Sequence, residues 1–165
     1  ALINVGSAGA IAPGMKIYDI VVSQDTVQHD MNVTGLGYAQ GVIPDQDESL
    51  FPADPELICM AQEAGKAEGL SVHTGRIASG DLFVAGEKAR TKIYERFGAL
   101  CAEMEGAAVA QDCWRNRVPY VVIRSMSDTA GEEAGVSYAE FSAKAAAQAV
   151  EILKHMITVW GGKRA

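Results

Sequence analysis

The sequence predicts a three-layer α/β/α fold around a largely parallel central sheet. Three observations carry that prediction. Near-continuous apolar or β-branched runs read as strands covered on both faces. Helical patterns lie between the later runs. Carboxylates or glycines stand where the runs give out, and in an open parallel sheet ligands lie outside the carboxyl ends of the strands.

Strand-like runs cover Ala1 to Val5, Asp19 to Val27, Ser71 to Ile77, Ala99 to Glu103 and Val118 to Ser125. Asp54 followed by Pro55 is a cap and first-turn pair, and Leu57, Ile58, Ala61 and Ala64 continue it at helical spacing to about Glu68. A shorter helix is predicted from Glu87 to Arg96, and another from Glu105 to Arg115, where Gly106, Ala107, Ala108 and Ala110 allow close packing on the sheet. For the last helix, Ser137 and Glu140 form a capping box, and Phe141, Ala145, Ala149, Ile152 and Met156 trace one face. The stretch from His29 to Ala53 has no clear period, and a connection of that length is usually functional or mobile. It carries Val33, Leu36 and Tyr38, which line a ligand, meet a second subunit, or pack on their own domain.

At 165 residues the chain suits one domain with a single core, burying on the order of 70% of its extended surface. No apolar run reaches the roughly 20 residues needed to span a bilayer, and no signal peptide opens the chain, so a cytoplasmic protein without membrane contact is expected. A formal charge of −7 repels phosphate backbones, and no basic stripe is interleaved with aromatics, so nucleic acid is not an expected partner. Cys59, Cys101 and Cys113 lie at wide spacings in apolar contexts and read as small buried thiols rather than a disulfide or zinc site. Ala1 to Val5 reads as a strand already under way, so either a processed chain or a preceding segment is expected.

Asp128 closes a mostly apolar strand. Its carboxyl either faces a cleft, where partial burial suits it to donate a proton near neutrality, or caps a turn before Gly131. If the pleat persists, Arg124, Met126 and Asp128 share one face and Ser125 and Ser127 the other. An arginine in such a strand pairs with Glu103 or Glu105, or else lies beyond the last covered position. Glu103 and Glu105, two apart, face one side while strand geometry holds. Glu105 at a helix start either caps it or stays ionised to hold two adjacent hydroxyls. Gly6-Ser7-Ala8-Gly9 is either a tight strand-to-helix turn or a place where backbone amides approach a ligand. It matches neither the phosphate-loop nor the dinucleotide spacing. His29, His73 and His155 have no ligand spacing, and Ser7 has no nucleophile elbow around it.

Four ordered segments, Asn4 to Ala10, Ser79 to Val84, Ala102 to Ala108 and Arg124 to Ala130, resemble the purine nucleoside phosphorylase and nucleosidase superfamily. They are most similar to its 5'-methylthioadenosine/S-adenosylhomocysteine nucleosidases, over essentially the whole chain. The resemblance implies a mixed sheet and cleavage of an adenine nucleoside by water, with no metal or organic cofactor. It implies that Asp128 protonates adenine N7 with Ser127 orienting it, that Phe83 stacks on the base, and that the Val84 backbone contacts it. Glu105 would bind the ribose hydroxyls beside Met104, supported by Glu103 and Arg124, and Ser7 would lie near the ribose and the water. Tyr138 would flank the 5'-alkylthio group, with Val33, Leu36, Tyr38 and Pro44 reaching that end from the neighbouring subunit of a homodimer. Phosphorylases of the superfamily place an arginine three residues before the Ser/Thr of the glycine segment. Asn4 stands there instead, which favours water over phosphate. The family also has an amino-terminal segment with the first strand and the acid that activates the water. A chain without it is expected to hydrolyse poorly and to leave a sheet edge exposed. Two other readings remain: a phosphorylase or aminofutalosine-type nucleosidase, and a silent nucleoside-binding module.

Overall fold

The computed structural model describes residues 1–129 and 134–162, with the backbone alone for 134–139 and 162. In chain order the elements are β1 (Leu2–Ala10), β2 (Ile20–Gln28), β3 (Leu50–Pro52), α1 (Pro55–Ala67), β4 (Val72–Ser79), α2 (Glu87–Phe97), β5 (Cys101–Glu103), α3 (Gly106–Asn116), β6 (Tyr120–Asp128) and α4 (Ala134–Gly162). Every strand and helix read from the sequence forms. The additions are β3 and a 3₁₀ turn at Thr34–Leu36, both inside the long aperiodic stretch. Three residues are too few to show a period, and β3 exists because its backbone adds antiparallel to Asp25–Val27 of β2.

Capping at α1 is as expected. Asp54 Oδ1 accepts the Glu56 and Leu57 N–H groups at 3.0 Å, Pro55 opens the helix, and Leu57, Met60, Ala61 and Ala64 are buried. Gly65 lets α1 approach β4, because a Cβ there would collide with Val72 Cγ2. α4 begins at Ala134, so Ser137 lies inside the helix and the expected Ser137/Glu140 cap is not its start. Its buried stripe of Ala145, Ala149, Ile152 and Met156 follows the predicted face. No described helix is long and apolar enough to cross a membrane. Cys101 and Cys113 are buried as expected, and burial pushes both thiols up, but Cys59 is exposed on α1. It lies on the helix face away from the Leu57/Ala61/Ala64 stripe.

The sheet is mixed. β1–β6, β2–β4 and β4–β5 are parallel, while β1–β5, β2–β3 and β2–β6 are antiparallel. It is also not the open sheet assumed from the sequence. β6 pairs with β1 along one edge and with β2 along the other, through Ile20↔Ser125 and Val22↔Ile123, so the order β3-β2-β4-β5-β1-β6 closes on itself. All nine residues of β6 are thereby buried, which accounts for its mostly apolar character. α3 and α4 meet opposite faces of β6. Ser125 Oγ donates to Gln148 Oε1 of α4 at 3.3 Å, while Arg124 turns to Glu103, whose carboxylate meets the first turn of α3.

Two features of this closure position the site. β5 runs antiparallel to β1 with Gly9↔Ala102, so residues after Ala102 pass back along β1 towards Gly6. On the other side β6 carries a bulge: Ala8 pairs with Met126 and Gly9 with Asp128, leaving Ser127 unopposed. A bulge re-aims the side chains beyond it. The expected alternation of Ser127 and Asp128 on opposite faces therefore fails.

Candidate active site

A cavity of about 370 Å³ lies over β1. It is lined by Asn4 to Gly9, Phe83, Ala102 to Glu105, Arg124, Ser127 and Asp128. Its size falls in the range of roughly 300–1,000 Å³ typical of small-molecule sites. A larger hollow of about 960 Å³ lies between Pro44–Asp47 and Trp114–Tyr120. It is the less persuasive site: Asp54 on its wall is engaged in capping α1, and it lacks buried ionisable groups that converge on one point. The cavity over β1 has such groups.

Gly6-Ser7-Ala8-Gly9 is not a turn; it is part of the second half of β1, and all four residues line the cavity. Its glycines make room for charged side chains. A Cβ at Gly6 would lie 3.4 Å from Arg124 Nη1, and one at Gly9 would lie 3.1 Å from Asp128 Oδ2.

On the β5 side the two glutamates divide the tasks that the sequence left open for Glu105. Glu103 caps α3: its Oε1 and Oε2 accept the Gly106 N–H at 2.9 and 2.8 Å, and Oε2 accepts the Glu105 N–H at 3.3 Å. Ser79 Oγ accepts the Ala107 N–H at 2.7 Å and donates to Glu103 Oε1. Arg124 closes the arrangement through Nε at 3.1 Å and through Nη2, both to Glu103 Oε2. An anion at the positive end of α3 with every lone pair engaged is a stable place for a buried charge. Glu105, the N-cap residue, makes no side-chain cap bond. Its side chain is 68% exposed on the cavity, with Oε2 3.7 Å from Arg124 Nη2. Its carboxylate is thus available to a ligand.

Asp128 differs from the partly exposed acid that the sequence suggested. It is 1% exposed, its Oδ2 is paired with Arg90 Nη2, and its Oδ1 accepts from Ser127 Oγ at 3.1 Å. Arg90 on α2 was not anticipated. Its one sequence signal is position: Arg90 shares a stripe with Ile93 and Phe97, at i+3 and i+7, where an apolar residue is expected.

Of the other expected residues, Ser7, Phe83 and Met104 line the cavity, and Val84 borders a narrow cleft beside it with Phe83, Gly9 and Asp128. The Tyr138 side chain lies outside the described residues. Val33, Leu36, Tyr38 and Pro44 do not line this cavity within the chain; Leu36 is 74% and Tyr38 40% exposed. His29 is buried under Gly80, where a Cβ would lie 2.5 Å from Nε2. Burial pushes its imidazole down, opposed by the nearby Asp30 and Glu103 charges. None of the three histidines lines the cavity.

A family model described as the phosphorylase superfamily matches residues 1–158. The chain belongs to the phosphorylase superfamily. Among relatives in that superfamily, the 5'-methylthioadenosine/S-adenosylhomocysteine nucleosidase of Geobacillus kaustophilus is 42% identical over 165 residues, which is 99% of this chain and 70% of that protein. A solved nucleosidase of the same name from Neisseria meningitidis, in complex with methylthio-immucillin-A, is 39% identical with a TM-score of 0.89. That match covers 94% of this chain and 68% of the other. Futalosine hydrolase of Helicobacter pylori superimposes with a TM-score of 0.90 at 34% identity, covering 94% of this chain and 66% of the other. The family expected from the four sequence segments is thus the one found, and two of these three phosphorylase-superfamily relatives carry the expected name.

Proposed function

We infer that the chain hydrolyses the N-glycosidic bond of 5'-methylthioadenosine and S-adenosylhomocysteine and releases adenine. One observation carries this reading: two carboxylates of different character border one cavity at two levels of β1. Asp128 stands opposite Gly9, and Glu105 approaches Arg124, which stands opposite Gly6. Three residues of strand separate those levels by about 10 Å, a span that a nucleoside lying along β1 bridges.

The chemistry follows from that placement. As the bond from ribose C1' to adenine N9 breaks, electrons move onto the base and the sugar becomes oxocarbenium-like. Asp128 gives a proton to N7, so adenine leaves neutral, and Ser127 keeps the carboxyl oriented. Glu105 accepts from the ribose hydroxyls and places negative charge beside the electron-poor ring. Phe83 stacks on the base, the Val84 backbone contacts it, Met104 packs on the sugar, and Ser7 lies beside the ribose. Water adds at C1', its proton goes to solvent, and the products are adenine and the free thio-sugar.

Water is favoured over phosphate by the charges on the cavity wall. Arg124 is the one cation among its described lining residues, and it is committed to Glu103. Asn4 offers no charge, and its Oδ1 is buried without a partner. Adenine release from methylthioadenosine is therefore expected at the same rate with and without phosphate. Strict phosphate dependence would overturn hydrolysis. A panel including S-adenosylhomocysteine, adenosine and futalosine separates the neighbouring activities.

The reading takes the chain as one nucleosidase-type domain in the cytosol, three-layered, with α3 on one side of the sheet and α1 and α4 on the other. It takes the working form to be a homodimer in which Val33, Leu36, Tyr38 and Pro44 of one subunit close the alkylthio end of the other's site, with Tyr138 beside it.

A further inference from the structure

The acid of the proposed reaction is not alone in its place. Arg90 is 1% exposed. Its Nη1 donates to the Ala10 carbonyl at 2.6 Å and its Nη2 pairs with Asp128 Oδ2. Its Nε is buried without a partner. One guanidinium therefore ties the end of β6 to the end of β1. With Ser127 on Oδ1, both oxygens of Asp128 are held and its plane is fixed.

No other cation pairs with Asp128 among the described residues. Glu103 from β5 and Arg124 from β6 neutralise each other, β1 brings no charge, and Glu105 lies at the far level of the cavity. From the loop before α2, Asp81 is exposed, with its backbone held by Asp30. Arg90 is thus the group that meets Asp128 directly. It sits one turn inside α2, whose N-cap, Gly86, ends the loop carrying Phe83 and Val84.

The geometry points to Arg90 as a positioning residue that fixes the orientation of the Asp128 carboxyl at the end of the cavity. This rests on the nucleosidase reading given above. No contact between Arg90 and the substrate is required.

The test compares Arg90→Gln, Arg90→Lys and Asp128→Asn with wild type in single-turnover adenine release over a range of substrate concentrations, with unfolding followed alongside. Arg90→Gln is expected to lower the maximal rate on the order of 100-fold, as a small misplacement of a reacting group does. The substrate concentration giving half that rate should stay within about three-fold of wild type, because Arg90 acts through Asp128 and not on the substrate. Arg90→Lys, which keeps the charge but not the two-handed fork, should fall between wild type and Arg90→Gln in rate. If Arg90→Gln keeps the wild-type maximal rate while Asp128→Asn is inactive, Arg90 only supports the fold and the inference is wrong. If Asp128→Asn is as fast as wild type, the nucleosidase reading itself fails and takes the inference with it. Should Arg90→Gln not fold, Arg90→Lys decides: a maximal rate lowered several-fold with half-saturation and stability unchanged supports the inference, and a wild-type rate contradicts it.

Discussion

Asp128→Asn is expected to slow adenine release by about 100- to 10,000-fold, the range that a positioned general acid contributes. The substitution is nearly isosteric. The amide oxygen can still accept from Arg90 Nη2, and the bulge at Ser127 is a backbone feature that does not depend on charge. The cavity should therefore keep its shape and still bind adenine, while the proton needed at N7 is missing. Single-turnover release followed by chromatography, together with adenine binding by calorimetry, separates the two effects. A rate within a few-fold of wild type would remove Asp128 from the mechanism.

Arg124→Met should cost about 3–5 kcal/mol of stability, because removing one member of a buried pair leaves an uncompensated charge. Glu103 and Arg124 side chains are each 2% exposed. Glu103 would keep its bonds from Ser79 and Gly106 but lose the only cation within ion-pair distance among the described residues. Because Glu103 also holds the start of α3, the loss should spread to the segment that presents Glu105. Urea unfolding measures it. Adding Glu103→Leu to Arg124→Met should recover a substantial part, since an apolar pair of similar volume has no charge to strand. A loss below about 1 kcal/mol in the single variant would mean that the pair is not the keystone described.

The parts of this molecule that were legible in advance are those governed by local chemistry. Asp54-Pro55 announces α1, the mostly apolar run of β6 announces a strand buried on both faces, and an arginine within that run implies a carboxylate partner. What was hidden depends on pairings between distant segments. No local pattern says that β6 also pairs with β2 and closes the sheet. A bulge of one residue at Ser127 leaves no mark in a run whose every position is buried. Gly6 and Gly9 were read for backbone freedom, and nothing local says that Gly9 also leaves space for Asp128 or that Gly6 lies against Arg124. Arg90 could be suspected only from its place on a buried stripe. Which carboxylate caps α3 was settled by strand end geometry: Glu103, the last residue of β5, turns back onto the Gly106 N–H, and this leaves Glu105 uncommitted.

The central claim is that two acids act on one molecule. A crystal structure of the chain with an adenine nucleoside analogue whose base cannot leave tests it most directly. The account predicts a single analogue along β1, with N7 within about 2.6–3.2 Å of an Asp128 oxygen and the ribose hydroxyls on Glu105 at similar distance. An analogue bound with its base away from Asp128, or with Glu105 touching no part of it, would contradict the account.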